Sequence, residues 1–533
     1  MEDKDSLKDL SSELIKEMNN WNKSNPDATF LEIEIKAREL VSKLEARLIE
    51  ESALEREIDD WSKKEERERP TCPNCHVPLV SRGKRLRHLQ GTTGREIRLK
   101  RTYGTCPRCG TGFFPLDEKL HLQPGCLTPL QLDYLVHFAT FQSFEKATQM
   151  LVKHHGVHVS ASTSRRQTEC IGAFAELVQN EEAKAKLLQK SSEPGKGVEK
   201  KEPAKLVISN DGAYISLRGK IWAEVKTMAV GEVQENTRPT TQRPHQEMKM
   251  VNISYFSRMI DSETFTELII GELHRRGFFD ATLVAALQDG AEWIQSLIAA
   301  LRADILRILD FYHAGQYLSD IATLVVGAGT QLPAKWWEEQ LHKLKHQGPK
   351  NVLEEVSRLR SDHPHVEDLA KSVNYLQKRE EMMQYPQFQQ QAWPIGSGSV
   401  ESANVGVVQT RLKGVGMHWE RENVNPMLAL RISACNDRWD EMREQAFRQR
   451  LLARRTQRFA RQATRYDVMK QKLENTILRL LLLSSPTKPN QTLVPLSSPQ
   501  ADPVATMPVA TETTKTRLPA KTHPWRRYAH AKK

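Results

Sequence analysis

The stretches KLVISND at residues 205–211 and TLVAALQD at residues 282–289 decide the fold. Each is a short run of β-branched and other apolar residues that stops at an aspartate followed by glycine, as a buried strand does before a turn. The segments around them complete the order strand, strand, strand, helix, strand, helix, strand. We therefore predict an α/β fold, with a mixed sheet flanked by helices over residues 205–313. The predicted strands are 205–211, 221–233, 250–258, 281–287 and 305–309, and the predicted helices are 262–276 and 291–302.

Three acidic residues are the candidate catalytic groups. Asp211 and Asp289 end the two strands quoted above, and Glu401 opens a helix after the sequence IGSGSV at residues 395–400. In this order of elements the first and fourth strands are neighbours, so their terminal carboxylates should meet, and the last helix can bring the third. Carboxylate oxygens are the hard ligands that Mg²⁺ prefers, and two Mg²⁺ (or Mn²⁺) ions held this way cleave and join nucleic-acid backbones. The alternative for each acid is a structural one, as a turn residue or a first-turn helix carboxylate.

Two Cys-Pro-x-Cys pairs predict a structural metal site. Cys72 and Cys75 form the first pair, and Cys106 and Cys109 form the second. Four thiolates arranged in two such turns complete a tetrahedral Zn²⁺ site. The stretch between the pairs suits a small β-sheet, so residues 70–126 are predicted to be a zinc ribbon. Its many Lys and Arg residues favour DNA over a protein as its partner.

The remaining segments follow from apolar spacing and composition. Residues 1–69 are highly charged with apolar residues at helical steps, which predicts an N-terminal helical segment. Residues 127–181 contain a helix, a glycine turn and a helix with Arg165 and Arg166, the outline of a helix-turn-helix, although helical hairpins without DNA share it. The other predicted segments are a solvated linker at 182–204, a polar loop at 236–245, an all-α insertion at 314–394, a catalytic-glutamate helix with basic C-terminal helices at 395–483, and a disordered basic tail at 484–533.

Composition favours a polyanionic partner. The 533 residues include 78 Lys and Arg against 67 Asp and Glu, for a formal net charge of +11 at pH 7. Such an excess is typical of proteins that bind nucleic acid. The sequence has neither an apolar run long enough for a membrane span nor an N-terminal secretory signal. The paired cysteines fit metal binding in a reducing compartment, so the cytoplasm is the expected location.

A family resemblance adds to these predictions. The sequences PIGSGSVESAN at 394–404 and QTRLKGVGMHW at 409–419 closely resemble the signature around the catalytic glutamate of DDE transposases from bacterial insertion sequences, above all the ISKra type (Kra-four family). The stretches around Asp211 and Asp289 resemble the first and second acidic motifs of that family, and the Cys-Pro-x-Cys pairs resemble its N-terminal zinc motif. DFYH at 310–313 is similar to a signature of DDE transposases with α-helical insertions.

The resemblance implies a ribonuclease-H-like core interrupted by the all-α insertion, and a bacterial enzyme acting at the nucleoid. It would bind terminal inverted repeats of double-stranded DNA as a homo-oligomer, hydrolyse one phosphodiester at each end, and join the freed 3′-hydroxyl to target DNA. A purely hydrolytic nuclease or resolvase and a non-catalytic zinc-dependent DNA-binding regulator are the alternatives. The implied role of Asp211, Asp289 and Glu401 is metal binding. Asp310 and His313 would support the site, with core packing as the alternative. Arg411, Lys413 and His418 would contact phosphate, with a solvated helix face as the alternative.

Overall fold

The computed structural model describes residues 7–56, 61–189, 205–235, 248–396 and 398–484. Within them the chain is a mixed α/β structure with two small sheets. Two compact units are present, residues 1–466 and 467–533, and the described part of the second unit is helical. No helix of the described residues is long and apolar enough to cross a membrane. The polar loop at 236–245, most of the predicted linker and the tail from residue 485 lie outside the described residues.

The described N-terminal part contains two long helices, a three-stranded sheet and a short third helix. Thr29 and Glu32 form a capping box that fixes the start of the second helix, so that helix begins at Phe30. The small antiparallel sheet lies between and beside the cysteine pairs. The elements are α1 (Leu7–Ser24), α2 (Phe30–Leu54), β1 (Val80–Gln90), β2 (Glu96–Thr105), β3 (Gly112–Phe113) and α3 (Pro115–Lys119).

Three helices follow: α4 (Pro129–Phe141), α5 (Phe144–His155) and α6 (Ala161–Gln189). Ser143 caps α5 at its start through the amide of Lys146, and the left-handed Gly156 ends it. The third helix is longer than the sequence suggested, because it continues through the start of the segment predicted to be a linker. Charged and polar residues at 182–189 fit a solvated linker and an exposed helix face equally well.

The larger sheet carries the candidate catalytic residues. Its strand order is β6-β5-β4-β7-β8. The pairs β4–β5 and β5–β6 are antiparallel, whereas β4–β7 and β7–β8 are parallel. The elements are β4 (Leu206–Leu217), β5 (Ile221–Glu235), β6 (Met248–Arg258), α7 (Ser262–Arg275), β7 (Val284–Gln288), α8 (Glu292–Leu301) and β8 (Leu306–Leu309).

Strands β4 and β7 are buried on both faces. Ile208 and Ala286 belong to one apolar cluster, while Val207 and Ala285 belong to the other. This explains why residues 206–208 of β4 and residues 284–287 of β7 are all apolar. One prediction needs correction: Asp211 does not end its strand. The parallel pairing with β7 stops one residue earlier, but β4 continues to Leu217 as one arm of a hairpin with β5.

After β8, helices cover the face of the sheet that carries Val207 and Ala285. Five of them occupy the stretch predicted to be all-α, and their apolar residues form one cluster with the sheet. They are α9 (Phe311–Gly327), α10 (Trp336–Gln347), α11 (Lys350–Asp362), α12 (Glu367–Gln377) and α13 (Tyr385–Gln390).

The C-terminal part is helical and includes a wide turn. A π-helix, Asn404–Gln409, interrupts the helix that begins just before Glu401. Such π segments are rare and occur frequently at functional sites. The α-helical elements here are α14 (Gly398–Ala403), α15 (Thr410–Leu412), α16 (Arg421–Cys435) and α17 (Trp439–Ser484).

Replacing Gly172 by alanine is expected to destabilise the protein by about 1–3 kcal/mol. Helix α6 crosses α16 at this glycine, and a Cβ there would lie 2.6 Å from the carbonyl oxygen of Pro426, which belongs to a rigid backbone. Gly327 is the matched control, because a Cβ on that helical glycine meets nothing within 4 Å. The thermal unfolding midpoint should fall for G172A and hold or rise slightly for G327A. Equal midpoints for the two variants would contradict the close helix crossing.

Candidate functional site

Strand register places the two aspartates side by side. In the parallel pair β4–β7, Ser209 lies opposite Leu287. Two residues further along each strand come Asp211 and Asp289, and residues two apart in a strand point to the same face. Neighbouring strands are about 4.8 Å apart, so the two carboxylates meet at one edge of the sheet.

A third aspartate continues this row. Ile308 lies opposite Leu287 in the parallel pair β7–β8, and Asp310 follows it by two residues. Asp310 is buried, and its Oδ1 accepts a hydrogen bond of 2.8 Å from the backbone amide of His313, which fixes the start of α9. We call Asp211, Asp289 and Asp310 the carboxylate row.

Glu401 approaches the row from a helix on the same face of the sheet. Val400 and Ala403 of α14 pack on Ala229 of β5, which lies opposite Ser209 of β4. One helical turn after Glu401, the Asn404 side-chain amide donates a 2.6 Å hydrogen bond to Oδ2 of Asp211. Asn404 therefore ties the glutamate helix to the first aspartate.

The charges of the acids repel one another. Burial raises the pKa of Asp211, and the carboxylates of Asp289 and Glu401 raise it further, against the hydrogen bonds from Gly212 and Asn404. The oxygens of these three acids do not all lie within 4.8 Å of one another in the described structure. Mutual repulsion favours such spacing, and bound cations would reduce it.

The turn after Asp289 is held by the helical region. Tyr375 of α12 donates a hydrogen bond to the carbonyl of Asp289, and Arg379 donates one of 2.6 Å to the carbonyl of Gly290. Tyr317 stacks on Tyr375 with ring centroids 3.8 Å apart. Gly290 has φ +82°, and a Cβ there would lie 2.4 Å from Nε of Arg379. The sequence contains no signal for this support, because its partners are 86 and 89 residues apart.

The predicted phosphate contacts divide into exposed and buried residues. Arg165 and Arg166 are exposed on α6, and Lys413 and His418 are exposed after α15. Arg411 is buried, and its Nε donates a 2.9 Å hydrogen bond to the carbonyl of Ala139. A guanidinium held inside the protein cannot reach a phosphate on the surface, so the assignment of Arg411 as a DNA contact is wrong.

Two buried arginines instead support the π-helix. The Arg411 guanidinium lies over the rings of Phe144 and Trp419. Arg431 of α16 donates hydrogen bonds to the carbonyls of Gly406 and Val407, inside the π-helix. Burial, followed by the charge of Arg431, lowers the pKa of Arg411 to about 10. Carbonyl acceptors and aromatic faces compensate part of the cost of burying these charges, although Nη2 of Arg411 is buried with no hydrogen-bond partner in the described structure.

The four cysteines form a compact cluster of sulfur atoms. The Sγ atoms of Cys72, Cys75, Cys106 and Cys109 all lie within 4.8 Å of one another, and those of Cys72 and Cys109 are 3.9 Å apart. The first cysteine of each pair is buried and the second is half-buried. Four sulfurs at such distances match the donor set of a structural Zn²⁺ site.

The two cysteine turns have the same backbone geometry. In the first turn the amide of His76 donates to the carbonyl of Cys72, and in the second the amide of Gly110 donates to the carbonyl of Cys106, both at 2.9 Å. His76 and Gly110 both have positive φ, of 56° and 69°. His76 thus serves the turn as Gly110 does, and the cluster is made of the four thiols.

The thiols do not behave alike without a cation. Burial raises the pKa of Cys75 to about 12. Burial also acts on Cys109, but hydrogen bonds with Thr111, Cys106 and Cys75 together outweigh it and lower the pKa to about 7. A bound Zn²⁺ would keep all four as thiolates, which is the form that binds metal.

Comparison with known protein families shows one match that covers most of the chain. The sequence pattern of an uncharacterised protein family, UPF0236, matches residues 25–448. The chain belongs to this family. The matched region contains both cysteine pairs, the carboxylate row and Glu401. No curated protein matches the chain.

Replacing Asp211 by asparagine is expected to raise the unfolding midpoint at pH 7 by roughly 1–2 °C. The folded-state pKa of Asp211 is raised, so its ionisation costs stability once the pH exceeds the unfolded-state pKa of about 4. The difference from wild type should vanish near pH 3, where Asp211 is protonated in both states. Oδ1 of Asn404 is buried without a hydrogen-bond partner in the described structure, so this amide can turn to accept from the new asparagine.

Asp304 provides the control for this measurement. Its carboxylate is paired with Arg302 at 2.6 Å, and its pKa is lowered by that hydrogen bond. D304N should therefore keep or lower the midpoint at pH 7. A lower midpoint for D211N than for wild type at pH 7 would contradict the proposed crowding of carboxylates.

Replacing Cys109 by serine is expected to abolish tight zinc binding. The variant lacks one of four thiolates in a cluster whose Sγ atoms lie within 4.8 Å. Elemental analysis of protein purified with added Zn²⁺ should find one equivalent per wild-type chain and well under half an equivalent for C109S. Cys126 is exposed and outside the cluster, so C126S should bind zinc as wild type does. Equal zinc content in C109S and wild type would exclude the site.

Proposed function

We propose that the protein is a DDE transposase that cleaves and joins DNA with a ribonuclease-H-like core. The observation that carries this proposal is the convergence of Asp211, Asp289 and Glu401. Asp211 lies on β4 and Asp289 directly follows the adjacent parallel strand β7, and α14 brings the glutamate to the same face. The charges of Asp289 and Glu401 raise the pKa of Asp211, which supports a site shared by the three acids.

The sheet topology supports the same proposal. Three antiparallel strands are followed by two parallel strands, in the spatial order β6-β5-β4-β7-β8. This is the arrangement expected of a ribonuclease-H-like core, with the first acid on the central strand β4 and the second directly after its parallel neighbour β7. The helices α9–α13 come between the core and Glu401, as an all-α insertion would.

Each acid would have a defined role in the proposed reaction. Asp211, Asp289 and Glu401 offer the hard carboxylate oxygens that would hold Mg²⁺ or Mn²⁺, which supplies activation of the attacking oxygen and stabilisation of the leaving oxygen. Asn404 would orient Asp211, while Tyr375 and Arg379 would hold the backbone next to Asp289. Asp310 and its neighbour His313 would support the row.

DNA is the proposed substrate and partner. The net charge of +11 favours a polyanion, and the exposed residues Arg165, Arg166, Lys413 and His418 remain candidates for phosphate contacts. A transposase brings two DNA ends together, so a homo-oligomer on DNA belongs to the proposal. In the reaction, water would cleave one phosphodiester at each end, and the released 3′-hydroxyl would displace a 3′-oxygen at a phosphodiester of the target.

Replacing Asp211 or Asp289 by asparagine, or Glu401 by glutamine, is expected to reduce DNA cleavage and strand transfer by about 1000-fold or more. Each change removes a charged ligand oxygen while preserving shape. The assay uses labelled duplexes made from the DNA that flanks the gene, a target plasmid, and Mg²⁺ or Mn²⁺, with products separated on denaturing gels. Asp304 is an exposed acid beside Arg302, so the variant D304N is the control and should keep wild-type activity.

The products distinguish the alternatives. Joined donor and target strands support a transposase, whereas cut but unjoined DNA would indicate a nuclease or resolvase. Retention of cleavage by all three variants would refute the assignment of the acids. If wild-type protein binds the duplex without cutting it, and binding depends on the cysteine cluster, a DNA-binding regulator is the better description.

A further inference from the structure

A stripe of arginines runs along one face of α17. Arg450, Arg454, Arg458 and Arg461 follow one another at steps of four, four and three residues, so they lie on the same side of the helix. We call these four residues the arginine stripe. Like charges at such spacings destabilise a helix, so an uncompensated stripe works against the fold.

The stripe lines two adjacent recesses. One, of about 380 Å³, lies between the stripe and the side chains of Pro124, Cys170 and Phe174. The other, of about 210 Å³, lies beside the small sheet, where Arg87 and Arg101 contribute two more cations. Arg454 and Arg458 line both recesses, and the acids Asp117 and Glu118 also line the smaller one, so the larger recess is the more cationic part of this surface.

Packing holds this surface in place. Phe459 of α17 packs against Phe113 of β3 with ring centroids 5.5 Å apart. Gln123 donates a 3.3 Å hydrogen bond to the carbonyl of Phe447. The arginines are therefore fixed to the small sheet by contacts of their own helix, and a ligand would meet a preformed surface.

Acidic residues balance only part of the charge. Asp117 pairs with Arg87 and Arg101, and Glu118 pairs with Arg458 at 3.2 Å. Across the described residues, no carboxylate forms an ion pair with the other three arginines of the stripe. Burial, and then the charges of neighbouring arginines, lower the pKa of Arg454.

Arg450 is the buried member of the stripe. It is 8% exposed, and its Nη2 donates a 2.7 Å hydrogen bond to Gln167. Its Nη1 is buried with no hydrogen-bond partner in the described structure, although the residue lines the larger recess. A buried charged donor without an acceptor is costly, so Arg450 adds uncompensated positive charge beneath the recess. Arg454 and Arg461 are exposed, and they are the members of the stripe that an anion can contact directly.

We propose that the arginine stripe and its two recesses bind the phosphodiester backbone of a nucleic acid. Guanidinium groups match phosphate oxygens with two parallel hydrogen bonds. From residue 450 to residue 461 the stripe extends about 16 Å, which spans several phosphates rather than one. The surface is separate from the carboxylate row, and the choice of nucleic acid over other polyanions rests on the proposed function.

The test measures binding of the full chain to three labelled nucleic acids, each with strands of 30 nucleotides: duplex DNA, single-stranded DNA and duplex RNA. The double variant R454Q/R461Q is expected to bind about 10-fold more weakly, and its salt dependence should lose a slope of about 1.8, or 0.9 for each lost phosphate contact. The control R448Q/R358Q removes the same charge from exposed positions that line neither recess. It should bind as wild type does.

The outcomes separate this proposal from the proposed function. Binding is measured in the D289N background without added divalent ions, so it does not depend on cleavage. If binding depends on the stripe but the wild-type protein cuts no DNA, the proposed role of the stripe is supported and the proposed transposase activity is refuted. Equal loss in both double variants would overturn the stripe. Poly-glutamate that binds as tightly, with the same dependence on the stripe, would overturn the assignment to nucleic acid.

Discussion

Parallel pairing between β4 and β7 is the constraint on which the candidate site depends. It aligns Ser209 with Leu287, and the next residues on that face are Asp211 and Asp289. A slip of one residue would turn one aspartate to the opposite face. The paired segments 206–210 and 284–288 are buried and mostly apolar, so the hydrophobic effect fixes this register strongly. The core of the protein therefore sets the distance between two charges that repel each other.

The fourth acid depends on a different kind of support. Glu401 lies on a short helix that continues as a π-helix, in which backbone hydrogen bonds join residues five apart and the turn is wider. Arg431 reaches two carbonyls of the π-helix from α16, and Arg411 anchors the following turn to α4. The wide turn places Asn404 where it donates to Asp211. Interior arginines thus determine the position of a residue that touches the site.

Much of the fold follows from the sequence, and the errors have physical causes. Apolar alternation and capping signals gave the order of strands and helices, because each depends on neighbouring residues. The strand β4 extends past Asp211 because β5 pairs with it, and such pairing is not visible in a local pattern. The burial of Arg411 depends on Ala139, 272 residues away. For the same reason the support of Asp289 by Tyr375 has no local signal, whereas the four cysteines are detectable from their spacing.

The fold holds one cluster of negative charges and one cluster of positive charges. The carboxylates near Asp211 repel one another, and so do the guanidinium groups near Arg454. Each arrangement lowers the stability of the isolated chain, and each would be relieved by a ligand of opposite charge. Cations would relieve the first and phosphates the second. A nucleic acid accompanied by divalent cations, the substrate that we propose, would supply both and would relieve two unfavourable features that the fold maintains on different elements.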